Sequence, residues 1–134
     1  MTEKELKPRT RNFAVEILNF VDELPNRRSA NIIGNQLGRP ASSIASNYKA
    51  ACRARSHAEF ISKIGIVEEE ADESVFWLDI IPDTKNSTTQ IITPLLNEAR
   101  ELTTIFTAAS KTAKQNKQNK TEKISQFPNP KIPK

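Results

Sequence analysis

The sequence predicts an all-α fold: four amphipathic helices in an antiparallel, up-down-up-down four-helix bundle around one core. Three observations carry this. Apolar residues recur at steps of three and four rather than two. Only three glycines occur in 134 residues, and the β-branched residues do not alternate. Proline or clustered polar residues fall between the periodic stretches, where short connections would reverse the chain. A chain of this length builds one core, not two.

The first helix is expected from Thr10 to Leu24, with Phe13, Ala14, Ile17, Val21 and Leu24 on one face and Leu18 and Phe20 widening it. Pro25 ends it, since proline disfavours helical geometry in the residue before it and has no N–H. The second is expected from Ser29 to Arg55, its core side formed by Ile33, Leu37, Ile44, Tyr48, Ala51 and Cys52. Gly38 and Pro40 inside it predict a kink near residues 36–40, or a split into two helices. Asn47, beside the core stripe, is expected to make a polar contact between helices. The third runs from Ala58 to Ile81 on Phe60, Ile61, Ile64, Val67, Ala71, Val75, Leu78 and Ile81. Ser56 and Glu59 before it form a capping box, and Pro82 ends it. After a polar loop at 82–90, the fourth helix runs from about Ile91 or Thr93 to Ala113 on Leu95, Leu96, Ala99, Leu102, Ile105, Phe106 and Ala109. Thr93 and Pro94 read as its N-cap and first helical residue.

Residues 1–8 read as a flexible N-terminus and 9–116 as the bundle. The stretch 117–134, rich in Lys, Asn and Gln with three closing prolines, reads as a disordered basic tail, too poor in apolar residues to offset ordering entropy.

The net charge of +4 is segregated. Residues 1–63 carry 11 Lys/Arg against 6 Asp/Glu, residues 64–110 carry 2 against 9, and residues 111–134 carry 7 against 1. Basic and acidic surfaces on one chain suit self-association or a polyanionic partner. One cysteine excludes an intramolecular disulfide and fits a reducing cytoplasm. No secretory signal pattern opens the chain, and no apolar run approaches the roughly 20 residues of a membrane span.

Catalytic patterns are wanting. Cys52 and His57 stand five apart, but a nucleophile pair needs hydrogen-bond contact and an orienting third group. With Cys52 on the core stripe and His57 at a helix boundary, both read as structural. A single histidine excludes the common zinc and di-iron ligand sets. No phosphate-cradling glycine loop or hydrolase elbow occurs. The expectation is a protein with no enzymatic activity, no cofactor and no metal.

Two surfaces stand out. Arg39, Ser42, Ser46, Lys49 and Arg53 recur at steps of three and four opposite the core of the second helix, with Arg27 and Arg28 at its start. Lys7, Arg9 and Arg11 cluster at the start of the first expected helix. Arg27, Arg28, Arg39, Lys49 and Arg53 are the candidate nucleic-acid contacts, since phosphate attraction is mainly electrostatic. The third helix carries a second apolar edge, Ile66, Phe76, Trp77 and Ile80, flanked by the acidic Glu69, Asp72 and Glu73. A helix apolar on two sides has two partners, so these seven residues are the candidate oligomer interface.

Two blocks carry a resemblance. NQLGRPASSIASNYKA, residues 35–50, and RSHAEFISKIGIVEEEADESVFWL, residues 55–78, resemble the signature blocks of the four helix bundle proteins, also called 23S ribosomal RNA intervening-sequence proteins. The likeness covers residues 9 to about 113. Departures are Pro40 where a small residue is usual, Lys49 where glutamate is frequent, and Val67 for alanine. The resemblance implies an all-α bundle assembling into a homopentameric ring, with no catalytic residues. A related branch, the accessory variability protein of diversity-generating retroelements, binds nucleic acid and a reverse transcriptase. The expected function is an oligomeric nucleic-acid or ribonucleoprotein accessory protein, with RNA or DNA and a reverse transcriptase as candidate partners. The alternative is a structural or protein-interaction module with no nucleic-acid role.

Overall fold

The computed structural model describes residues 1–126, with side chains through residue 116. Four helices account for nearly all of it: α1 (Glu3–Asp22), α2 (Arg28–Cys52), α3 (His57–Ile80) and α4 (Thr89–Gln126). A single 3₁₀ turn, Pro82–Thr84, lies between α3 and α4. The described residues contain no strand.

α1 begins earlier than the apolar pattern indicates. Thr2 caps it by accepting from the Glu5 N–H at 3.3 Å, and residues 3–8, expected outside the bundle, form its first turns. Leu6 is buried here, and so is Thr10, whose hydroxyl donates to the Leu6 carbonyl at 2.9 Å. That bond lets a polar side chain sit in the core without an unmet hydrogen bond. Pro8 lies inside the helix, where it deprives the Lys4 carbonyl of its usual N–H partner.

α2 runs unbroken through Pro40, so the expected split does not occur. Pro40 is buried, and the Gln36 carbonyl goes without its i+4 donor. α3 starts as expected: the Ser56 hydroxyl accepts from the Glu59 N–H at 3.1 Å, and the Glu59 carboxylate reaches back to the Arg55 N–H at 3.3 Å. α4 starts at Thr89, capped by Thr88, so Pro94 lies inside it rather than at its first position. Ile92, inside the helix from one expected start and outside it from the other, is buried. The backbone stays helical to Gln126, past the residue-116 boundary expected for the tail. Residues 127–134 of that expected tail lie outside the described residues.

α3 is the central helix: α2 and α4 both pack along it, while α1 packs chiefly on α2 and touches α4 little. The core takes Phe13 and Ile17 from α1, Leu37 and Ile44 from α2, Ile64, Val67 and Leu78 from α3, and Leu102 and Phe106 from α4. Fully burying each such side chain contributes about 1.5–3 kcal/mol. Tyr48 is buried as expected, with its ring tilted against Phe106 at 5.3 Å.

Three polar ties supplement the core. On the thin α1–α4 seam, the Arg9 guanidinium grips Glu98 with two bonds of 2.8 and 2.6 Å and also donates to Glu101 at 2.8 Å. A forked, half-buried pair of this kind is stronger than an exposed single contact. The buried Asn86 donates to Ser29 and Thr84 and accepts from Arg27, joining the α3–α4 connection to the start of α2. His57 donates through Nε2 to the Ala113 carbonyl at 2.8 Å, tying the start of α3 to α4.

The α1–α2 seam depends on two glycines. A Cβ at Gly34 would stand 3.0 Å from Val21 Cγ1, and one at Gly38 would stand 3.5 Å from Leu18 Cδ2. Gly65, inside α3, has nothing within 4 Å of that position. Gly65→Ala is therefore expected to raise the unfolding free energy by about 0.5–1 kcal/mol, the helix-propensity gain alone. Gly34→Ala is expected to lower it, because overpacking costs of about 1–3 kcal/mol exceed that gain. Chemical denaturation of the two variants beside the parent checks both signs.

Candidate functional site

The outward side of α2 follows from its core stripe. With Ile33, Leu37, Ile44 and Tyr48 turned inward, the 100° step per residue turns Arg28, Arg39, Ser46 and Arg53 outward. Arg27, Arg28, Arg39, Lys49 and Arg53 are all exposed, but their surroundings differ. Arg27 is engaged with Asn86 Oδ1 at 3.0 Å. Arg28 and Arg53 stand at the two ends of α2. Lys49 lies on the α1 side of the helix, facing Lys7 and Arg11. Arg9, read with them as one basic group, turns instead to Glu98 and Glu101.

Arg39 shares a cavity of about 240 Å³ with Gln36, Pro40, Ser43, Glu70 and Glu73, in the groove between α2 and α3. The basic stripe and the acidic segment thus meet within one protomer. Partial burial pushes the Glu70 carboxyl above its ordinary range, and the neighbouring Glu73 and Glu69 carboxylates push the same way against Arg39. Asn47, expected to bridge helices, bonds instead within α2: its amide donates to the Ser43 carbonyl at 3.0 Å and to the Ser43 hydroxyl at 2.8 Å.

The second apolar edge of α3 lies on its α2 flank. Ile66, Trp77 and Ile80 are half-buried there, while Phe76 is 55% exposed and meets Trp77 edge to face at 5.0 Å. Trp77 Nε1 is sheltered from water and meets no acceptor among the described residues. Glu69, Asp72 and Glu73 are exposed beside this edge. The opposite flank of α3 faces α4, as the Asp79–Arg100 pair at 3.6 Å marks.

Cys52 and His57 border one opening with Tyr48, Glu3 and Phe60. The imidazole is committed to Ala113 through Nε2 and stacks near Phe60. Burial, with the Glu3 carboxylate nearby, pushes the Cys52 thiol up, away from the thiolate a nucleophile needs. Burial likewise pushes the Tyr48 phenol up.

Sequence reading missed how the cations sort among partners. Lys7, Arg11 and Leu18 recur at steps of four and seven, which places both cations on the α2-facing edge of a helix. That signal stayed hidden because the first helix was expected to begin at Thr10. The partners of Arg9 lie 89 and 92 residues away, a distance no local pattern spans.

Glu70 yields a pH prediction. A carboxyl whose folded pKa is raised favours folding when protonated, so its contribution is full below the unfolded value and is lost as pH rises through the folded one. Glu70→Gln is expected to raise the thermal midpoint slightly at pH 7, and this advantage is expected to vanish as the pH falls below the ordinary carboxylate range. Melting curves of both proteins from pH 3.5 to 7.5 check it.

No helix of the described residues is long and apolar enough to cross a membrane. The chain matches the family described as 23S rRNA-intervening sequence protein over residues 3–108. A crystal structure from Bacteroides thetaiotaomicron, of a protein with unknown function from the S23 ribosomal protein family, superposes with a TM-score of 0.76 at 29% identity. The match covers 83% of this chain and 99% of that one. No curated protein matches. Its helices, its central blocks and the extent of the match agree: the chain belongs to the 23S rRNA-intervening sequence protein family.

Proposed function

We propose that this chain is a non-enzymatic, homo-oligomeric bundle that binds nucleic acid or a ribonucleoprotein through the basic side of α2. The observation that carries this is the exposure of Arg28, Lys49 and Arg53 along one helix whose core side is fully engaged. Attraction of such a face to phosphates is electrostatic and weakens with salt. Membership of a family named for an insertion in ribosomal RNA favours RNA over DNA. The helices run antiparallel, up-down-up-down, and the protomers close into a pentameric ring in a cytoplasmic setting. A reverse transcriptase is the protein partner if the chain serves a retroelement. The ring interface is the α3 edge, where Phe76 and Trp77 are flanked by Glu69, Asp72 and Glu73. Acidic residues there meet basic residues of a neighbouring copy.

A second reading rests on the cavity that Arg39 shares with Glu70 and Glu73. There the basic stripe is already balanced by carboxylates, and the α2–α3 face then serves protein contacts alone.

Two measurements separate the readings. Electrophoretic shifts with single-stranded RNA at about 50 mM salt are expected to show binding that fades by 200 mM and drops on charge reversal at Lys49 and Arg53. Binding that survives both changes, or no binding at low salt, leaves the protein-interaction reading. Light scattering is expected to give a mass above the 15.1 kDa monomer, and Trp77→Ala is expected to lower it. A monomeric parent removes the ring.

A further inference from the structure

The α1–α2 seam changes character along its length. At one end Leu18, Val21 and Leu24 close over Gly34 and Gly38. At the other end it opens into a groove of about 480 Å³ whose charged lining is Lys7 and Arg11 from α1 and Lys49 from α2. Among the described residues no carboxylate lines this groove, in contrast to the cavity around Arg39. It opens because nothing large fills it: between the cations stand only Pro8, Ala45 and two serines.

We propose that this groove is a phosphate-binding site that seats the backbone of a single nucleic-acid strand. The proposal deepens the nucleic-acid reading above and rests on it, but places the contact at the α1–α2 groove rather than along the whole outer side of α2.

Charge and spacing support it. Lys7 and Arg11 stand four residues apart, about 6 Å along the axis, comparable with the separation of neighbouring phosphates on one strand. Lys49 faces them across the groove. Lys7 has an exposed i,i+4 pair with Glu3 at 3.3 Å, a contact weak enough to yield to a phosphate. The serines supply room rather than donors: Ser42 donates to the Gly38 carbonyl at 2.8 Å and Ser46 to the Ser43 carbonyl at 3.3 Å. The Pro8 ring and the Ala45 methyl give an apolar floor against which a sugar can lie. Among the described residues no aromatic ring lines the groove, so bases find no platform there to stack on and binding is indifferent to sequence.

The test compares the full chain with Lys7→Gln/Arg11→Gln/Lys49→Gln, with helicity confirmed by circular dichroism. Fluorescence anisotropy with a 20-nucleotide single-stranded RNA is expected to show at least about a tenfold loss of affinity in the triple variant. The same loss is expected for strands of different sequence. Arg28→Gln/Arg53→Gln, outside the groove, is expected to lose much less. Equal affinity of the triple variant and the parent overturns the groove and leaves the outer-face reading resting on Arg28 and Arg53 alone. A second arm titrates inorganic pyrophosphate while following the backbone amides of Ala45 and Ser46 by NMR. Saturable shifts there, absent in the triple variant, support the phosphate site even if the RNA fails to bind, in which case only the nucleic-acid reading falls. Absence of both RNA binding and these shifts overturns both. A polyglutamate peptide that binds through the same cations more tightly than RNA overturns the choice of ligand.

Discussion

How closely α1 can approach α2 governs much of this molecule. α2 offers Gly34 and Gly38 one turn apart, and Val21 and Leu18 lie over them at contact distance. Side chains of ordinary size at those positions would push α1 outward and thin its hold on the core. α1 has little other support: its contact with α4 is slight and is bridged by Arg9. The seam is therefore tight where glycine meets leucine and valine, and open where lysine and arginine meet serine and alanine. One arrangement of small residues thus both docks a helix and leaves a basic groove beside it.

The central position of α3 has a complementary consequence. Ile64, Val67, Ala71 and Leu78 fill the core, and one flank of the helix serves α4. The α2 flank is covered incompletely, leaving Phe76 exposed and Trp77 half-covered among carboxylates. The raised Glu70 carboxyl is a cost of the same geometry, since burial and two neighbouring carboxylates outweigh the help of Arg39.

The four helices were legible because each buries one face, and burial imposes the spacing of three and four on the sequence. Boundaries were less legible. The start of α1 reads as polar, with Leu6 its one large apolar residue before Phe13, and Pro8 resembles a stop. Yet helix continues through it, because Leu6 and Thr10 both gain a place in the core. Thr93-Pro94 mimics a helix start, but the burial of Ile92 and the cap at Thr88 set the boundary earlier. The basic residues were visible as a group, but not their division among Asn86, Glu98 and Glu101, the Arg39 cavity and the groove. That division arises from contacts between helices far apart in sequence. The turn of Asn47 back to Ser43 was likewise hidden, since the same polar residue flanking a core stripe can bond within its helix or across to another.

The central claim is that this family member meets a phosphate backbone with cations gathered by the α1–α2 seam. The most direct measurement is the slope of log affinity for single-stranded RNA against log salt concentration, for the parent and the groove variant. Each phosphate contact on a single strand contributes about −0.7 to that slope. The account predicts a parent slope of about −2 or steeper, shallower by about 2 once Lys7, Arg11 and Lys49 are neutralised. A parent slope near zero, or one that those substitutions leave unchanged, would contradict it.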